Sequence, residues 1–195
     1  MTPRRLPPEL LGLSPGDLGP GGCADFARRA ERARAAGLRG LLLREPALAD
    51  RAWLDLAREL GRAFAPPAGW FGVHDRGHLA SAVGAAAVHV GFRSLPPSEL
   101  RAWLPEATAI GLSTHAADDP SAWSGADYVF HGPVCATPSK AGLVAPTGFD
   151  GLARAAATGV PVWAIGGMTP ERYASARSAG ARGVVARAAL FAEAD

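Results

Sequence analysis

The chain has 195 residues and is 48% hydrophobic, which suits one compact domain with a sizeable core, or a barrel slightly under the usual size. Its 20 basic and 18 acidic residues leave a net charge of +2, and arginines alternate with acids rather than forming a basic stripe with aromatics, so a nucleic-acid surface is not expected. Pro, Gly or charge interrupts every apolar run before it reaches membrane length, so no membrane association is expected.

The predicted elements alternate. A possible first strand, "ELLGLS" (9–14), precedes the helical stretch "CADFARRAERARAAG" (23–37). "LRGLLLRE" (38–45) reads as a strand and "LADRAWLDLARELGRAF" (48–64) as a helix. Then come "GWFGVHD" (69–75), helix-like "HLASAVG" (78–84), "AAAVHVG" (85–91), helix-like "PSELRAWL" (97–104) and "ATAIGLST" (107–114). "DPSAWSG" (119–125) reads as a helix, "ADYVFHG" (126–132) as a strand and "GFDGLARAAATG" (148–159) as a helix. "VPVWAIGG" (160–167), helical "TPERYASARSAG" (169–180) and "ARGVVAR" (181–187) follow. The strand runs lack period-2 polarity, as expected for strands buried on both faces of a parallel sheet. Thr169, Pro170 and Glu171 make a favourable helix start: hydroxyl cap, proline at the first helical position, early negative charge.

Eight strands alternating with helices predict a single-domain (β/α)8 barrel over residues 1–195, with an open doubly wound sheet as the runner-up. The last helical stretch, "AALFAEAD", is short, which leaves room for closure aided by a partner chain, a homodimer. Cys23 and Cys135 lie far apart in sequence. A disulfide between them is one option, and two thiols in a reducing cytoplasm is the simpler one. No basic stretch precedes a leader-like apolar run, so a cytoplasmic location is expected.

A barrel carries its chemistry at the carboxyl ends of its strands. That points to Arg44 and Glu45; to His74, Asp75 and Arg76; to His89; to Ser113, Thr114 and His115; to His131; and to Gly166, Gly167 and Arg187. The segment "VFHGPVCATPSKAG" (129–142) adds Thr137, Ser139 and Lys140, the sole lysine.

Four stretches together resemble the thiamine phosphate synthase and TenI superfamily: "DYVFHGPVCATPSKAG", "VPVWAIGGMTPERYASARSAGARGVVARAALF", "GVHDRGHLASAVGAAAVHVG" and "IGLSTH". The resemblance runs in order over residues 38–191. It implies a single (β/α)8 barrel acting on a small molecule, a thiazole phosphate, whose phosphate meets backbone N–H groups at Gly166, Gly167 and around Ala188. It implies Arg44, Ser113, Thr137, Ser139 and Lys140 as substrate or pyrophosphate contacts, and Asp75 as a magnesium aspartate.

The departures are specific. The synthase pattern Gln-x-Arg-x-Lys becomes Leu42, Arg44 and Pro46, the asparagine before the aspartate becomes His74, and the second magnesium carboxylate becomes Ser94. Magnesium, which prefers hard oxygen ligands, is thereby weakened as a cofactor, and no other cofactor is implied. The serine of the phosphate loop after strand eight becomes Ala188-Ala189, with Arg187 just before it. The losses resemble TenI-like members, but the histidine of their tautomerases aligns with Pro133. His131, two residues earlier on the strand, is expected to face the same space and to serve as the proton-transfer residue; as a structural residue it would be a satisfied barrel-interior histidine. Asp75 either binds metal or pairs with Arg76, Arg44 or a helix N-terminus. Lys140 either contacts an anion or is a surface charge, and Cys135 would be a nucleophile only with His131 as its base.

The resemblance and its departures therefore lead to the expectation of a TenI-like protein of thiamine biosynthesis that acts on or binds a thiazole phosphate, with thiazole tautomerase as one activity open to it. The alternatives are a thiamine phosphate synthase and a non-catalytic paralogue that binds a phosphorylated ligand or a protein.

Overall fold

The computed structural model describes residues 4–137 and 144–187. Eight strands pair in parallel and in chain order: β1 (Leu10–Leu13), β2 (Gly40–Leu43), β3 (Trp70–His74), β4 (Ala87–Val90), β5 (Ala109–Thr114), β6 (Tyr128–His131), β7 (Val162–Ile165) and β8 (Gly183–Ala186). β8 pairs back onto β1 through Leu10 with Val184, so the sheet is a closed barrel and the open-sheet alternative is excluded. Five α-helices lie between strands: α1 (Cys23–Ala35), α2 (Asp50–Ala63), α3 (Pro97–Leu100), α4 (Gly148–Ala156) and α5 (Pro170–Ser178). No helix among the described residues is long and apolar enough to cross a membrane.

The longer helices form where the periodicity is strongest. Trp53, Leu56, Ala57 and Leu60 of α2 recur at helical spacing and are all buried. The stretches 78–84 and 119–125, expected as α-helices, are 3-10 turns at Gly77–Leu79, Ser81–Val83 and Pro120–Trp123. Glycines and prolines break these short connections, and tighter turns span them more cheaply than an α-helix does. In 97–104 only Pro97–Leu100 is α-helical. The last helical stretch, 188–195, lies outside the described residues.

Strand alternation sorts the side chains into an inside and an outside. Leu11, Leu13, Leu42, Trp70, Tyr128, Phe130, Trp163 and Val185 pack together inside the barrel. The intervening residues, such as Phe71, Val73, Val88 and Ile110 on one side and Val129, Val162 and Ala164 on the other, pack outward under the helices. The interior is therefore dominated by rings, and glycines make room for them. A Cβ at Gly72 would come within 2.5 Å of the Trp70 ring, and one at Gly183 within 2.5 Å of Trp163 Nε1. A Cβ at Gly111 would run into the Tyr128 ring and His89 Nδ1. At the opposite end from the mouth, Trp70 Nε1 donates to the Arg5 carbonyl and Trp163 Nε1 to the Pro8 carbonyl, both at 2.8 Å. The N-terminal segment thus plugs the barrel floor and satisfies two buried indoles.

Overpacking a filled core costs about 1–3 kcal/mol. Gly111→Ala is accordingly expected to lower unfolding free energy by that amount in urea titrations, while Gly21→Ala, which has open space around it, changes it little.

Candidate functional site

The mouth is built from the last inward-facing position of each strand. On β3 the inward series is Trp70, Gly72 and His74; on β4 it is Ala87 and His89; on β5 it ends at Ser113. Register places His74 beside His89 and Ser113 beside Phe130. His89 Nε2 lies 2.9 Å from Ser113 Oγ, and its ring stacks on Phe130 at 4.0 Å between centroids and tilts toward His74 at 5.8 Å. Complete burial pushes the His89 pKa well below the ordinary histidine value, and the neighbouring His74 and Arg44 push the same way against a weaker pull from Asp75. His89 is therefore a neutral, fixed ring that orients Ser113.

Beside it, His74 Nδ1 lies 2.9 Å from Asp75 Oδ2, and Ser94 Oγ donates to Asp75 Oδ1 at 2.5 Å. Burial by itself would raise the Asp75 pKa, but these hydrogen bonds from His74 and Ser94 outweigh it and leave the carboxyl below its ordinary value. Asp75 pairs with His74 and Ser94 rather than with the arginines expected for it. Arg76 turns away to Asp50 at 3.4 Å, the Leu48 carbonyl at 2.8 Å and the face of Trp53. Arg44 Nη1 packs near Gly16, and the guanidinium has no hydrogen bond or ion pair among the described residues. Glu45 is fully committed elsewhere: its buried carboxylate accepts from the Gly16 and Leu18 amides, each at 2.8 Å, and pins the loop after β1. Arg187 Nη1 ties the end of β8 to the Pro15 carbonyl of that loop at 2.9 Å.

Across the mouth, Gly166 and Gly167 follow β7 with φ of +90° and +66°, a region that L side chains rarely adopt. A Cβ on Gly166 would reach within 2.6 Å of Pro133, and one on Gly167 within 2.7 Å of the Ala136 carbonyl. The run-off of β6 packs on them, with Val134 N donating to the Ile165 carbonyl and Cys135 N to the Gly166 carbonyl. The Gly167 amide has no acceptor among the described residues, and α5 begins three residues later. Thr169 is the N-cap residue with Pro170 at the first position, but its hydroxyl does not cap the backbone; it bonds the Glu171 carboxylate instead. Thr137 stands half-buried in the β6 loop. Ser139, Lys140 and Ala188 lie outside the described residues.

His131 is where the sequence reading needs correction. Its imidazole is buried, bonded at Nδ1 to Thr114 Oγ1 at 3.0 Å and packed against Trp123 of the outer layer. The reason is parity: Tyr128 and Phe130 point into the barrel, so Val129 and His131 point out of it. Burial lowers its pKa, and its Nε2 has no partner among the described residues. The imidazole does not face the mouth. His74 and His89 were legible as strand-end histidines in "WFGVH" and "AVHV", and the closed barrel turns both inward.

A model of the family described as thiamine monophosphate synthase matches residues 18–190. The chain belongs to that family. It is 38% identical over 192 residues to the thiamine-phosphate synthase of Laribacter hongkongensis, covering 97% of this chain and 87% of that protein. It is 44% identical over 149 residues to the thiamine-phosphate synthase of Salinispora arenicola, covering 75% of this chain and 72% of the relative. The fold is also that of the thiamine phosphate pyrophosphorylase from Pyrococcus furiosus, with a TM-score of 0.79 at 23% identity over 95% of this chain and 88% of that one.

In this member of the synthase family, the residues do not fit the magnesium that the family resemblance implies. Asp75 is the single carboxylate at the expected place, and Ser94 spends its hydroxyl on that same carboxylate. Among the described residues no three His, Cys, Asp or Glu side chains are grouped to hold a metal ion. The Ser94 hydroxyl occupies one acceptor site of Asp75 Oδ1 and adds no second negative charge where the resemblance implies one.

His89 and His131 share a pH signature. Each is held neutral in the fold while the unfolded chain titrates near 6.5, so the unfolded state binds more protons below that value. Their contribution to stability is complete above pH 6.5 and is lost as pH falls toward their depressed folded values. Melting temperature is expected to fall between pH 7.5 and pH 5 (about the range in which histidine titrates), and His89→Gln should flatten part of that slope whatever its absolute stability.

Proposed function

We propose that the mouth binds a thiazole phosphate and that this synthase-family protein catalyses proton transfer on it, a TenI-like isomerisation. The observation that carries the reading is the Asp75–Ser94 bond: a serine hydroxyl stands on the aspartate where a second carboxylate would serve a diphosphate-bound metal, while the neutral His89 and the His74 imidazole fill the neighbouring wall. Gly166 and Gly167 with the start of α5 supply the phosphate side, where the Gly167 amide has no acceptor among the described residues. Arg44 supplies a positive charge with no acceptor of its own among the described residues. The ring of such a ligand would lie between these two ends, over Ser113 and the histidines.

A second reading is the joining of the thiazole phosphate to a hydroxymethylpyrimidine diphosphate. The names of the relatives support it more directly than they support isomerisation. In that case Arg44, Thr137, Ser139 and Lys140 would face the diphosphate. The two readings separate in one experiment, in which the protein is incubated with the thiazole phosphate carboxylate in deuterated water, then with the pyrimidine diphosphate added, with and without magnesium. Exchange without diphosphate supports isomerisation; magnesium-dependent thiamine phosphate formation at about 1–1000 per second supports the synthase and overturns the first reading. Thermal stabilisation without either product would leave a binding protein.

Arg44→Gln tests the end of the mouth opposite the glycines, where the guanidinium would meet the carboxylate of the thiazole phosphate carboxylate. A hydrogen bond to a charged group is worth about 1.5–3 kcal/mol, so affinity for that ligand, measured by calorimetry, is expected to fall about 10- to 150-fold. Unchanged affinity would place the carboxylate away from β2.

A further inference from the structure

We propose that His74 is the proton-accepting residue of the mouth, held by Asp75 as the Nδ1–H tautomer so that Nε2 presents its lone pair to the ligand; this rests on the proton-transfer reading above. Three observations combine. His74 Nδ1 and Asp75 Oδ2 are 2.9 Å apart, and a carboxylate can only accept, so this contact needs the proton on Nδ1. A ring whose single proton sits on Nδ1 carries its lone pair on Nε2. That atom has no hydrogen-bond partner among the described residues, and the side chain is 16% exposed, unlike the wholly buried His89. The ring leans over Gly91, where a Cβ would stand 3.7 Å from Nε2, so this glycine leaves that nitrogen uncovered on the β4 side.

The carboxylate is itself locked. Ser94 Oγ donates to Asp75 Oδ1 while the Gly91 amide donates to Ser94 Oγ at 3.0 Å, and the Asp75 amide bonds the His89 carbonyl at 2.9 Å. Asp75 and Arg76 both have positive φ, +55° and +49°, although neither is glycine. Such backbone is sparsely populated and persists where the surroundings over-determine it. Here it turns the Asp75 carboxylate back onto the side chain of the preceding residue. The arrangement orients an imidazole as a second carboxylate could not, and it accounts for histidine and serine together: His74 needs an orienting acceptor, and Ser94 holds that acceptor still.

The step balances within the ligand. Nε2 takes a proton from a carbon next to the conjugated C=N system, and the C–H electron pair shifts into a new double bond as the original π pair moves on. The imidazolium, stabilised by Asp75, then returns the proton at the far end of that system. No oxidant, reductant or metal enters. His74 would be a catalytic residue and Asp75 a positioning residue.

The first test uses the ligand-free protein. Nitrogen-15 spectra of labelled histidine are expected to show neutral His74 in the Nδ1–H form, and Asp75→Asn, which can donate as well as accept, should shift it toward Nε2–H. His74 found as Nε2–H in the parent overturns the proposal. The second test follows deuterium exchange into the thiazole phosphate carboxylate. His74→Asn, the residue that the family resemblance places there, is expected to cut kcat about 100-fold or more with KM nearly unchanged. Asp75→Asn should lower kcat less, again at constant KM. If the parent exchanges and His74→Asn is equally fast, the proposal fails while the proton-transfer reading stands. If the parent shows no exchange although thermal stabilisation shows the ligand bound, the reading fails and the base assignment falls with it.

Discussion

Filling the inside of a small barrel is the constraint on which the rest of this structure depends. Short strands offer few inward positions, and here rings take many of them: Trp70, Tyr128, Phe130 and Trp163. Tyr128 meets Trp163 edge-on at 5.6 Å and Trp70 at 6.5 Å, geometries that suit the ring quadrupoles. Such bulk fits only because neighbouring strands surrender Cβ atoms at Gly72, Gly111 and Gly183. The rings then act as a rigid floor for the mouth. His89 rests on Phe130, and through Ser113 and His74 that stacking positions the polar groups above it.

The same burial decides the electrostatics. His89 stays neutral because a fully enclosed ring cannot afford its proton, and the nearby positive field of Arg44 adds to that. Burial also pushes the Tyr128 phenol upward, so it too stays uncharged. Charge is confined to the rim, where Arg44 lacks an acceptor among the described residues and Asp75 has two donors. The rim thus carries Arg44 and Asp75 above a neutral, aromatic floor. The loops that shape the rim are tied down by buried hydrogen bonds, Glu45 beneath the β1 loop and Arg187 across to Pro15.

How far the sequence could be read differs from element to element. The eight strands and the longer helices were legible because their apolar periodicity is strong, as in α2. The glycine pair after β7 was legible because Gly-Gly before Thr-Pro-Glu has few structural uses. Short connections such as 78–84 misled, since a helix-like composition does not reveal that glycines leave too little chain for one. Ser94 could be read as a lost carboxylate but not as the donor to Asp75, because the two are 19 residues apart and meet only when β3 and β4 pair. His131 misleads because parity taken from Pro133 differs from parity taken from Tyr128 and Phe130, the rings that fill the barrel.

Sequence by itself determined the barrel, the family and the absence of the synthase pattern at Leu42, Pro46 and Ser94, since these are properties of order, spacing and residue type. Tertiary structure alone decided which histidines face the mouth. Alternation along a strand fixes two sides but not which of them is inside; closure of the sheet around Tyr128 and Phe130 settled that, sending His131 outward and leaving His74 and His89 at the mouth.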